Sequence, residues 1–367
     1  MRTRFRFLLI NCKLGFYHIP DQMKRIITCS DGTWNKPGDQ CDGKYVQTNV
    51  QKLFEAICKS VTHDDTIMPQ IKYYDEGIGS EGTPWSKMID GATGKGIDDN
   101  IKDIYKFIIW NYEPGDELFL FGFSRGAYTA RSLAGLIRNC GILKNNDMTL
   151  VEQAYQIYRD RDNPALNPNG AASQKFREEN SHPEERIKFV GVWDTVGSLG
   201  IPVHAFQWID KNKYQFHDTT LSSLVENAFH ALAVDEKRGN FKPTLWTLSA
   251  DVKNRVVGQV MEQVWFAGVH SNIGGGYPDQ GLSDITFQWM AEKAKSCGLG
   301  FDEPYLTSLL NPNPEGVLYN SKTGIFKITP NYNRPVMETP FSNESIDPAV
   351  IERINKMPDY RPKNVKV

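Results

Sequence analysis

The sequence predicts a doubly wound α/β fold, a mostly parallel sheet with helices packed on both faces. Apolar runs without alternating polarity, such as Leu118 to Phe121, Ile187 to Trp193 and Val264 to Phe266, read as strands buried on both sides. Stretches with apolar residues at helical spacing lie between such runs. The residues with reactive side chains follow the runs directly, at the carboxyl ends of strands, where open parallel sheets carry their sites.

The chain has 367 residues and a formal charge of -2, with 42 basic residues scattered among 44 acidic ones. That balance excludes a broad electrostatic footprint for nucleic acid. Residues 1–22 read as a poorly defined extension, with basic residues and a short apolar patch at Phe7 to Ile10 but no cleavable signal, and Met23 is the expected natural start. Residues 23–367 are expected to form one domain. No apolar run is long enough to cross a bilayer, so the cytoplasm is the default location. The six cysteines show neither CxxC spacing nor a dense framework, and no metal or organic cofactor is expected.

In chain order, Lys24 to Cys29 is the first strand, and Ser30-Asp31-Gly32-Thr33-Trp34-Asn35 forms the turn after it. Thr48 to Ser60 reads as an amphipathic helix and Gln70 to Tyr74 as the second strand. The glycine-rich stretch Gly77 to Gly96 lacks the glycine and lysine spacing of a phosphate loop. Apolar residues Ile101, Ile104, Tyr105 and Ile108 mark a helix over 97–110, and Pro114-Gly115-Asp116 turns the chain into the next strand.

That strand runs into Gly122-Phe123-Ser124-Arg125-Gly126 and then an Ala/Leu/Arg-rich helix. A serine hydroxyl is a poor nucleophile unless a sharp turn lifts it from the sheet toward a base, and glycines on either side let strand and helix pass closely. Ser124 is the candidate nucleophile. The N–H of Arg125, with Gly32 or Thr33 from the first turn, is the candidate oxyanion hole. Residues 145–186 are polar and interrupt the alternation, as a surface insertion that contributes to a cap.

Alternation resumes at Ile187 to Trp193, which ends on Asp194. Asn227 to Val234 is the next apolar run, ending on Asp235. Either carboxylate stands where a catalytic acid belongs, and either also reads as a structural pair or cap. The aromatic and apolar residues Phe206, Trp208 and Ile209 read as core, or as an acyl site or a membrane-facing cap. Of seven histidines, only His270 directly follows a buried strand and opens a glycine-rich loop, Gly274-Gly275-Gly276. Serine, acid, histidine is the chain order of α/β hydrolases.

Five segments in order carry a resemblance: 29–35, 122–127, 191–197, 230–236 and 268–277. Together they resemble the α/β-hydrolase family that includes the catalytic domain of type VI secretion phospholipase effectors. The resemblance implies an α/β-hydrolase-like sheet with helical cap insertions, Ser124 as nucleophile, His270 as base, Asp235 as the favoured acid and Asp194 as the alternative. It also implies lipid esters as substrates, met at a membrane surface, and an effector's export without a signal peptide. Family members often carry aspartate two residues after the histidine. This chain has Asn272, which predicts a less basic imidazole if that position tunes the ring. A soluble-ester esterase or thioesterase is the rival enzyme reading, and a catalytically silent binding scaffold is the rival of another class.

Overall fold

The computed structural model describes residues 23–366 except 33–36, 42, 64–65, 78–94, 146, 161, 184–185, 197–218, 250–254 and 329. Thr33, Phe206, Trp208, Ile209, residues 1–22 and nearly all of the glycine-rich stretch therefore lie outside the described residues. Strand β1 is Arg25–Ser30, a two-residue hairpin pairs β2 (Gln40–Cys41) with β3 (Lys44–Tyr45), and helix α1 is Asn49–Ala56. Thr48 caps α1 by accepting the N–H of Gln51. Strands β4 (Ser60–His63) and β5 (Thr66–Asp75) follow, then α2 (Lys95–Asn111), β6 (Glu117–Phe123) and α3 (Arg125–Cys140).

The polar insertion folds into α4 (Met148–Arg159) and α5 (Ala171–Asn180). The remaining core elements are β7 (Ile187–Trp193), β8 (Val225–Ala233), β9 (Val260–Phe266), α6 (His270–Gly274) and α7 (Gly281–Ser296). Helix α8 (Glu303–Ser308), β10 (Glu344–Ile346) and α9 (Pro348–Lys356) complete the chain.

Apart from the β2–β3 hairpin, the described strands form an eight-stranded sheet in the order β10-β9-β8-β7-β6-β1-β5-β4. All pairs are parallel except β4 with β5. Alternation along β6 divides the core. Leu118 and Leu120 face α2 and α3 in one cluster, whereas Phe119 and Phe121 join α1 and α7 residues such as Leu53 and Phe287 in the other. Phe119, Phe121, Phe189 and Phe229 run across that second face with centroids 5.1–5.8 Å apart. Each fully buried Phe contributes about 1.5–3 kcal/mol.

Two strands of the main sheet were not legible in the sequence. Strand β4 adds a hairpin edge, and β10 is supplied from far along the chain. The insertion packs mainly on α3: Tyr158 of α4 lies against Gly135, and Arg177 of α5 donates to Asn139 O at 2.7 Å near the carboxyl end of α3. No described helix is long and apolar enough to cross a membrane.

Candidate active site

Strand β6 delivers Ser124 into a backbone conformation that side-chain-bearing residues rarely adopt, with φ 57° and ψ -117°. The turn is locked by its surroundings. Ser124 N–H donates to Trp193 O at 3.0 Å, extending the β6–β7 pairing one residue past the strand. A Cβ on Gly122 would lie 2.2 Å from Gly126 O, and one on Gly126 would lie 2.0 Å from Ser30 O. Both glycines are therefore demanded by close backbone approach, β6 against α3 and α3 against β1. Arg125 opens α3, so its peptide N–H stands at the positive end of a sixteen-residue helix.

Strand β9 ends four residues before His270, which is the first residue of α6. The imidazole is buried, tilted against Phe123 at a centroid distance of 4.7 Å and edge-on to Phe241 at 5.0 Å. A Cβ on Gly274 would fall 2.1 Å from the Phe123 ring, so part of the glycine-rich loop exists to let that ring support the histidine. Ser124 Oγ is 2.8 Å from His270 Nε2, and His270 Nδ1 is 2.6 Å from Asp194 Oδ2. An ionised carboxylate only accepts, so Nδ1–H donates to Asp194 and Nε2 is left to accept from the serine hydroxyl.

Asp194 follows β7 at φ 41°, a turn that carries its carboxylate back over the sheet. The side chain is fully buried and all its acceptor positions are used. Oδ1 takes the N–H of Ala233 at 3.1 Å and Arg334 Nη1 at 2.5 Å, and Oδ2 takes His270 and Arg334 Nη2 at 3.0 Å. Burial alone would raise its pKa. The Arg334 charge, with the bond from His270, outweighs burial and holds the carboxyl well below the ordinary carboxylate range. Behind the turn, buried His230 accepts the N–H of Thr195 at Nε2, 3.0 Å, with Nδ1 on Gln263 Oε1. Burial pushes its pKa down to about 3, so it is a neutral support.

Asp235, expected beside the histidine, is elsewhere. Its Oδ2 accepts the N–H of Gly268 at 2.8 Å and the hydroxyl of Tyr360 at 2.9 Å, and its own N–H donates to Gly268 O. The backbone simply continues the β8–β9 pairing into the turn before His270, which aims the side chain at that turn rather than at the ring. Asn272 is not hydrogen-bonded to the ring either. Its Nδ2 donates to Val317 O at 3.0 Å and its Oδ1 accepts from Val269 N–H, so the amide ties the histidine loop to a later segment. An ionised aspartate has no N–H for that carbonyl.

Of the expected oxyanion donors, Gly32 N–H is occupied by Asp31 Oδ1 at 2.7 Å. Burial raises the Asp31 pKa to about 6, although Thr48, Tyr74 and Gly32 all donate to it.

Two charged partners escaped sequence reasoning. Arg334 lies in an irregular segment between Asn333 and Pro335, with no strand end or periodicity to mark it. Glu236 is the second: its Oε2 accepts His270 N–H at 3.3 Å, and its carboxylate is gripped by Nε and Nη2 of Arg238 at 2.9 Å each. Arg238 in turn stacks 3.5 Å over Phe241, the ring that borders His270.

Residues 24–293 match the model of the family described as type VI secretion system phospholipase effector Tle1-like, catalytic domain. The chain belongs to this family. Among relatives of the Tle1-like catalytic domain here is the uncharacterized protein YEL023C of Saccharomyces cerevisiae. It is 32% identical over 242 residues, which cover 61% of this chain and 33% of the yeast protein. Two solved structures are similar. One is an uncharacterized protein from Pseudomonas aeruginosa, at 17% identity and TM-score 0.44, covering 81% of this chain and 50% of that one. The other is the Tle1 effector bound to the VgrG spike of the type VI secretion system, at 21% identity and TM-score 0.42, covering 70% and 52%. The chain thus spans a third of the yeast relative and about half of each solved chain.

Proposed function

We propose that the chain is a serine hydrolase of phospholipid carboxylic esters, working through an acyl-enzyme. The observation that carries this reading is the continuous relay from Ser124 Oγ to His270 Nε2 and from His270 Nδ1 to Asp194, set on a strained elbow. In this reading Ser124 attacks the ester carbonyl while Nε2 takes its proton. Asp194, in place of Asp235, holds the imidazole tautomer and stabilises the imidazolium. Arg125 N–H supplies one oxyanion donor, and the turn after β1 supplies the other once its Gly32 N–H leaves Asp31. His270 then protonates the departing alcohol, and water attacking the acyl-serine releases the fatty acid by the same proton path in reverse. Membership of the phospholipase effector family supports a lipid ester as substrate.

Fatty acid release from mixed phospholipid vesicles by the protein and by Ser124→Ala tests the proposal. The expected result is release that Ser124→Ala abolishes, with fluorophosphonate labelling lost in the same variant. Release that persists in Ser124→Ala overturns the serine mechanism. Labelling of Ser124 with hydrolysis of short soluble esters but none of vesicles overturns the phospholipid assignment and leaves the esterase.

A further inference from the structure

Arg334 is among the largest fully buried side chains in the protein, 1% exposed, and its guanidinium is spent on the acid of the relay. Nη1 and Nη2 fork onto the two oxygens of Asp194, while Nη1 also reaches Ala233 O at 3.0 Å and Nη2 reaches Phe241 O at 2.6 Å. Its Nε–H, by contrast, is buried without a hydrogen-bond partner among the described residues. Burying an ion pair in a dry interior is a poor way to gain stability, because desolvation of both charges cancels most of the attraction, and an unpartnered N–H adds to the cost. Such a pair at the acid of a proton relay calls for a reason in the chemistry. Residue 334 also lies outside the 24–293 match to the family model.

We infer that Arg334 is a positioning residue that makes the relay a four-membered unit, fixing Asp194 and setting the pH range in which His270 works as a base. The inference rests on the serine-hydrolase reading above. A carboxylate sealed from water tends to take up a proton, and a protonated Asp194 would lose its hold on the imidazole. The fork keeps it ionised and leaves one lone pair for Nδ1–H. The same positive charge lowers the affinity of the Asp194–His270 pair for a proton. Whichever of the two would receive it, the pair stays in its working form, carboxylate and neutral imidazole, to lower pH.

The other charges facing His270 are Glu236, through its backbone N–H, and Arg238, which lies across the Phe241 ring. These two are paired with each other at 2.9 Å and so largely cancel at the ring. His230 borders the Asp194 turn as a neutral group.

The test is the pH dependence of kcat/KM for a soluble p-nitrophenyl ester, for the protein and for Arg334→Met and Arg334→Lys, each checked for folding by thermal unfolding. In the protein itself the acid limb is expected below the ordinary imidazole value of about 6.5. Arg334→Met should lose at least about tenfold in kcat/KM at pH 7 and move the acid limb up by about one pH unit. Arg334→Lys keeps the charge without the fork, so its limb should stay low while kcat falls. An acid limb that does not move in Arg334→Met, with only the amplitude reduced, overturns the inference and leaves Arg334 structural. If Arg334→Met does not fold, a limb above about 6.5 in the protein itself, or one that rises in Arg334→Lys, overturns it. Turnover that survives Ser124→Ala instead marks failure of the hydrolase reading, separately from the role of Arg334.

Discussion

Asp194 and Asp235 follow neighbouring strands of one sheet, Asp194 fully buried and Asp235 half-buried, both in turns, and only one meets the histidine. Asp194 leaves β7 through a left-handed residue and is surrounded by donors from β8, α6 and the segment carrying Arg334. Asp235 stays in register with the β9 turn and is surrounded by a backbone N–H and a tyrosine hydroxyl. The cation makes the electrostatic difference. Asp194 is held ionised against burial, whereas burial, its largest influence, raises the Asp235 pKa. Position at a strand end thus does not by itself bring an aspartate to the histidine; the turn's backbone angle and a buried cation distinguish Asp194 from Asp235.

The largest expected effect is at the serine both acids would serve. Ser124→Ala should lower kcat by at least about 10⁴-fold in an ester assay, with little change in melting temperature. The comparison itself is sharpest in Asp194→Asn against Asp235→Asn. Asp194→Asn should cost about 10³- to 10⁴-fold in kcat by presenting the wrong tautomer partner. It also strands the Arg334 charge, so denaturant unfolding should show a loss of about 3 kcal/mol. Asp235→Asn keeps an acceptor for Gly268 and Tyr360 and removes a charge that burial disfavours, so kcat should change by less than about tenfold, with stability within about 1 kcal/mol. Equal losses of kcat in the two asparagine variants would collapse the distinction.

A smaller effect separates the two in pH. Burial lowers the His270 pKa from its ordinary 6.5 despite the bond to Asp194. The base is therefore neutral, and competent, on descending through pH 6.5, and kcat/KM should fall only below that. Asp235→Asn should leave this limb unmoved. Smallest is Tyr360→Phe, which removes one donor to Asp235 and should cost about 1 kcal/mol in unfolding, with no change in the pH limb.

The sheet and the elbow were legible because they are written locally. An apolar run, two glycines and a helix-forming stretch fix β6, the turn at Ser124 and α3, and His270 stands out at the end of β9 with its glycine-rich loop. Asp194 was legible only as the alternative to Asp235, and its contact with His270 was not. That contact depends on one backbone angle and on a partner 140 residues away, neither of which leaves a periodic pattern. The same holds for Asn272, whose sequence position suggests tuning of the imidazole and whose side chain instead reaches Val317. Strand β10 escaped for a related reason: three residues, Glu344–Ile346, carry too little pattern to announce an edge strand.

The arginine at position 334 also sets an order of events during synthesis. A ribosome makes Ser124, Asp194 and His270 well before the segment that neutralises Asp194. Until that segment docks, Asp194 lacks the cation that forks onto both its oxygens in the folded protein. Joining residues so far apart in sequence is also entropically slow. On the inference above, the relay remains incompletely armed until the segment carrying Arg334 emerges, and the docking of that segment is also the step that switches the relay on.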